Sequence, residues 1–144
     1  MNLNEITAGI ELLGNNINKL VIKNSLVNFA DAKEKRIDFC INKPRFEKDE
    51  DGLMGQIEIE FKIDLINSEE QKCHMEIALE GAFVPSGDID EEQFEQLVMV
   101  NGAAALVSIA RGKIEAISGN VLNSGKIVIP FINVLEYYKE ASMK

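Results

Sequence analysis

One histidine, His74, and two cysteines, Cys40 and Cys73, are the residues best able to ligate a metal or serve as base and nucleophile. His74 follows Cys73 in an alternating run, Cys73-His74-Met75-Glu76-Ile77. Neighbours on a strand project to opposite faces, so this pair neither shares a metal nor makes a Cys–His nucleophilic couple. Both cysteines read as buried free thiols of a cytosolic chain. Ser108 and Ser118 have no partner base of the kind a hydrolase needs. Gly81 and Gly87 flank a proline turn and Ser124-Gly125 is an ordinary loop, so no glycine-rich phosphate cradle is expected. Glu58, Glu60, Glu76 and Glu80 fall on the polar side of alternating strands. They read either as a solvated sheet surface or as an acidic face that docks a basic partner. Residue chemistry therefore points to a binding protein rather than an enzyme, with no metal and no cofactor.

The chain has 144 residues, 46% apolar and 27% charged, which fits one soluble globular domain spanning 1–144. A net charge of −9 argues against nucleic acid as a partner. The basic cluster Lys33–Arg36, with Glu34 inside it, reads as a solvated turn. The opening MNLNEITAGIELLG carries acids and no unbroken apolar core, so it is not an export signal, and the cytoplasm is the expected compartment.

Residues Asn2–Gly14 hold a weak helical pattern (Ile6, Ile10, Leu13) stopped by Gly14-Asn15-Asn16, a short helix or a mobile lead-in over 1–16. A strand is expected from Ile17 to Phe29 and a polar connection over Ala30–Lys35. Ile37, Phe39 and Ile41 alternate with polar neighbours in a run continuing to Phe46 past Pro44, which marks an edge or irregular pairing. The cleanest alternation follows: Ile57, Ile59, Phe61, Ile63 and Leu65 point one way, Glu58, Glu60, Lys62 and Asp64 the other. That is antiparallel behaviour, with one face in a core and one in water. The next strand places Cys73, Met75, Ile77 and Leu79 inward and His74, Glu76 and Glu80 outward.

Asp90 with Gln93 three residues on predicts a helix N-terminus, and the helix is expected to run to about Ser118 with Gly119 as its stop. Leu97–Ala110 carries no charge, and its apolar residues do not keep to one stripe: Phe94, Leu97, Val98, Ala105 and Ile109 share one face, Val100, Ala103, Val107, Ile114 and Ile117 another. One sheet covers only one of those sides, so the other is expected to meet a second copy through Leu97, Val100, Gly102, Ala103, Ala104, Val107 and Arg111. The uncharged part is about 14 residues, too short to cross a bilayer, which needs roughly 20, so no membrane insertion is expected. A kink near Gly102 also fits the residues. An apolar run, Ile127-Val128-Ile129, then ends at Pro130, and Asn133 caps a last helix over Val134–Ala141.

This order of parts resembles the SecB-type export chaperones. The likeness rests on Glu80-Gly81-Ala82-Phe83, on Leu106–Ile114 with Ala110, Arg111 and Ile114, and on Ile127-Val128-Ile129-Pro130 followed by Asn133. Ile109 stands where that family usually has tyrosine, and Phe131 and Ile132 separate Pro130 from Asn133 where it usually has one residue. The resemblance implies an α+β fold, a four-stranded antiparallel sheet with the long helix on one face and a short terminal helix. It also implies a bacterial homo-oligomer, a dimer or tetramer built through the first strand and the long helix. Its function would be ATP-independent holding of unfolded or secretory polypeptides in apolar grooves, here involving Phe39, Phe46, Phe83, Phe131, Val134, Tyr137 and Tyr138. Clients would pass to the export motor SecA through an acidic face of Glu58, Glu60, Asp64, Glu76 and Glu80. The alternative is an assembly or regulatory partner of one protein, for example within a toxin–antitoxin system.

Overall fold

Strand β4 (Gly52–Ile66) lies at the centre of an antiparallel sheet, bonded to β5 (Lys72–Pro85) on one side. Its other side pairs first with β3 (Arg45–Asp49) and then with β2 (Glu34–Ile41). Strand β1 (Ile10–Asn24) completes the order β1-β5-β4-β2. The computed structural model describes residues 9–142. The alternation read in β4 and β5 holds: Ile57, Ile59, Phe61, Ile63, Leu65, Cys73, Met75, Ile77 and Leu79 are all buried. They meet across strands, Phe61 opposite Ile77 on β5 and Phe39 on β2, with the two phenyl rings 4.9 Å apart.

The edges differ from expectation. Ile10 and Leu13 belong to strand β1, not to a helix, and Asn2–Ala8 lies outside the described residues. The strand ends at Asn24, and Phe29 opens a single 3-10 turn, Phe29–Asp31. An edge strand is packed on fewer sides, and this one has register irregularities at Leu12/Gly14 and Ile17/Lys19, which break the period of two. Pro44 splits the run from Ile37 to Phe46 into two strands that share one partner, so the sheet has five strands but four across.

A 31-residue helix, Glu91–Val121, crosses the sheet's apolar face. Its first part, α1 (Glu91–Leu97), begins with the expected capping box between Asp90 and Gln93. A π-turn over Val98–Gly102 follows, in which the Ala103 N–H reaches back to the Val98 carbonyl. The remainder, α2 (Ala103–Val121), passes through Gly119, which is an interior helical residue and not a stop. Close approach to the sheet is made at glycine: a Cβ on Gly81 would lie 2.7 Å from Leu106 Cδ2. Both Leu106 and Gly81 are buried, so Gly81→Val overpacks this contact. We expect it to cost about 1–3 kcal/mol, read as a lower urea midpoint at unchanged slope.

Part of the helix's second side is covered by the chain itself. The segment from Leu122 to Asn133 folds back along α2, burying Leu122, Ile127 and Ile129. Helix α3 (Val134–Ser142) then follows, its first turn capped by Asn133, which accepts from the Glu136 N–H.

Candidate functional site

Three successive residues of the segment between α2 and α3 are tethered by side chains of other elements. The Ile127 N–H donates to Ser118 Oγ at 2.8 Å, Lys35 Nζ to the Val128 carbonyl at 3.3 Å, and Arg111 Nε to the Ile129 carbonyl at 2.8 Å. With Ile127 and Ile129 turned into the core, Val128 between them must face outward, and Phe131 is 89% exposed. The Arg111 guanidinium lies 4.2 Å from the centre of the Phe131 ring.

Helix α3 extends this surface. Val134 is buried while Leu135 is 64% exposed. Tyr137 lies edge-on to Phe39 at 5.3 Å, and its hydroxyl accepts from the Ile41 N–H, an outward-facing group of edge strand β2. The contacts Lys35–Val128 and Ile41–Tyr137 lay the segment alongside the length of β2. Val128, Phe131 and Leu135 are thus left exposed along this stretch, while Phe39 and Tyr137 pack together against β2.

Of the groove residues expected from sequence, Phe39, Tyr137 and Tyr138 form one cluster, and Phe131 lies apart against Arg111. Phe83 and Val134 do not line a surface; they are core residues, Phe83 packed beneath Gly102. Phe46 sits at the other end of β4, against Phe94 and Gly55. Val128 and Leu135 escaped the sequence reading, although the in–out–in pattern of Ile127-Val128-Ile129 carries the information for Val128.

The Tyr138 hydroxyl is buried and has no hydrogen-bond partner among the described residues, and burial pushes its pKa up to about 12. An unfolded tyrosine ionises near 10. Between those values the unfolded chain sheds the proton first, so stability present below pH ~10 is lost as pH rises towards about 12. Tyr138→Phe should flatten that alkaline loss, measured as urea midpoints on either side of pH ~10.

The outer sheet face is internally paired. Glu58 accepts from the amides of Asn18 and Asn42, and Glu60 and Glu76 both bridge Lys19 and Lys62. Glu80 pairs with Arg45, and Asp64 meets His74 Nδ1 at 2.7 Å. Each acid of the expected docking face thus has a partner on the sheet. Cys73 points into the core while His74 lies on this outer face.

On the long helix, Asn101, Ala104, Ser108, Gly112 and Ala116 are exposed, flanked by half-buried Leu97, Val100, Ala105 and Ile109. Gly102, Ala103 and Val107, expected at an interface, are instead buried against this chain's own core, and Arg111 is taken by the Ile129 carbonyl. The placement of these four follows from helix phase: Gly102, Ala103 and Val107 turn into the core and half-buried Arg111 towards the returning segment.

No family profile and no curated protein matches the sequence. Among solved structures, the chain is similar to the Mycobacterium tuberculosis SecB-like chaperone Rv1957, solved in complex with a ChAD peptide from the Rv1956 HigA1 antitoxin. Identity is 13% and the TM-score 0.58, over 87% of this chain and 91% of that one. It also aligns with a Streptococcus agalactiae protein of unknown function at 11% identity and TM-score 0.48, over 85% and 97% of the two chains. An antiparallel sheet of this order, a long helix across one face and a short terminal helix give this chain the SecB-like fold.

Proposed function

We propose that the protein is a non-enzymatic, ATP-independent chaperone that holds extended polypeptide segments against the band of Val128, Phe131 and Leu135. The observation that carries this reading is the exposure of these three apolar side chains on one stretch of chain held along edge strand β2. Leaving them in water costs free energy that a client's apolar residues recover on binding, at roughly 25 cal/mol per Å² buried. A general holding role predicts that near-stoichiometric protein suppresses light scattering by several unrelated unfolding proteins. Failure with all of them would remove it.

A dedicated client is the second reading. It draws on the neighbour solved with an antitoxin peptide, and it predicts tight binding to one segment of one partner with little effect on unrelated clients. Hand-over to SecA draws no support from the outer sheet face, whose acids are already paired, so export is not part of the proposal.

We propose assembly into a dimer or tetramer through the open side of the long helix. Ala104, Ser108, Gly112 and Ala116, spaced by four, let another helix come close, and Leu97 and Val100 add apolar area. Light scattering that returns a monomer at micromolar concentration would end this proposal. The working compartment of such a chaperone would be the cytoplasm.

A further inference from the structure

The side chain that ties the core helix to the exposed band is Arg111. Its Nε bonds the Ile129 carbonyl and its guanidinium lies against the Phe131 ring, so one residue grips both the main chain and the exposed aromatic. Ser118 and Lys35 hold the same segment by main chain alone. Ring and guanidinium approach closely although the ring is 89% exposed, so burial does not fix its pose. A freely rotating surface side chain loses rotamer entropy whenever a client orders it. A cation held against one face of the ring reduces that loss while leaving the rest of the ring bare. Arg111 has no carboxylate partner among the described residues, in a chain with 24 acids. Among the described residues its guanidinium meets this ring and the Ile129 carbonyl, and no carboxylate.

We propose that Arg111 is a positioning residue that presents Phe131 to the client in a preorganised pose. This rests on the chaperone reading above. It makes Arg111 act through Phe131, so the two substitutions must be non-additive in client binding. Arg111→Met should weaken binding of an unfolded client about fivefold, the size of one partly exposed cation–π contact. In a Phe131→Ala background the same change should add almost nothing. Arg111→Lys keeps the charge without the planar stack and should recover only part of the loss.

The natural chain has no tryptophan, which supplies a readout independent of any client. In a Phe131→Trp protein, steady-state anisotropy of the introduced indole should fall when Arg111→Met is added, with the unfolding midpoint measured alongside to show the fold is kept. Unchanged anisotropy, or additive losses of client affinity, would overturn the positioning role while leaving client binding intact. Absence of client binding by the natural protein would overturn the presentation of Phe131 and the chaperone reading together, and the anisotropy result tells these two failures apart.

Discussion

Phe61→Ala should lower the free energy of unfolding by about 3–5 kcal/mol, the range for emptying a phenylalanine site in a packed core. Phe61 is fully buried on the central strand, flanked by Ile77 on β5 and by Phe39 on β2. A domain of this size has only about 5–15 kcal/mol of stability in total, so the variant should be partly unfolded well below the wild-type urea midpoint. The damage should reach the surface as well. Phe39 touches Phe61 on one side and Tyr137 on the other, so the cavity withdraws support from the contact that seats α3 on the sheet. Phe131→Ala is the control: its ring is almost wholly in solvent and loses only the Arg111 contact, so the change should stay within about 1 kcal/mol. A loss at Phe61 below about 1 kcal/mol would mean that this face is not where the core resides.

The second large effect is on binding. Replacing Val128, Phe131 and Leu135 together by serine should weaken client binding roughly a hundredfold, taking about 1 kcal/mol for each partly buried contact. All three are exposed, so the unfolding midpoint should barely move. Titration of a labelled, permanently unfolded client against both proteins measures the ratio. Equal affinities would place the client elsewhere on the molecule and would end the role assigned to this band.

How much of this was readable depends on how many sides of each element are packed. Strands β4 and β5 have neighbours on both edges and a core on one face, so Ile57–Leu65 alternates strictly and Cys73–Leu79 does so except at buried Ala78. Strand β1 has one neighbour and two irregularities, and the spacing of Ile6, Ile10 and Leu13 imitated a helix turn. The cap at Asp90 was legible because capping is local chemistry, whereas Gly119 misled because glycine ends a helix only when the backbone needs a positive φ. At the site, Phe131 and Tyr137 were visible as aromatics near the end of the chain. Which aromatics are surface and which are core, Phe131 against Phe83, is decided by long-range packing such as Gly102 over Phe83, and spacing alone does not encode it. The same holds for Arg111, whose partner lies 18 residues away.

The π-turn at Val98–Gly102 lets the long helix carry one residue more than its path needs. Its wider ring takes up one surplus residue, and each residue of ordinary α-helix swings the next by about 100°. Substituting exposed Asn101 leaves that arithmetic alone. Deleting one residue there would remove the surplus and leave an unbroken α-helix with everything downstream in phase, whereas straightening the turn with every residue kept would swing it all by about a quarter of a turn. Leu106 would leave its seat over Gly81, Ser118 would lose the Ile127 N–H, and the guanidinium would swing out from under its phenyl ring. Relatives of this chain are therefore free to lose the extra residue and the wide turn together, but not one without the other.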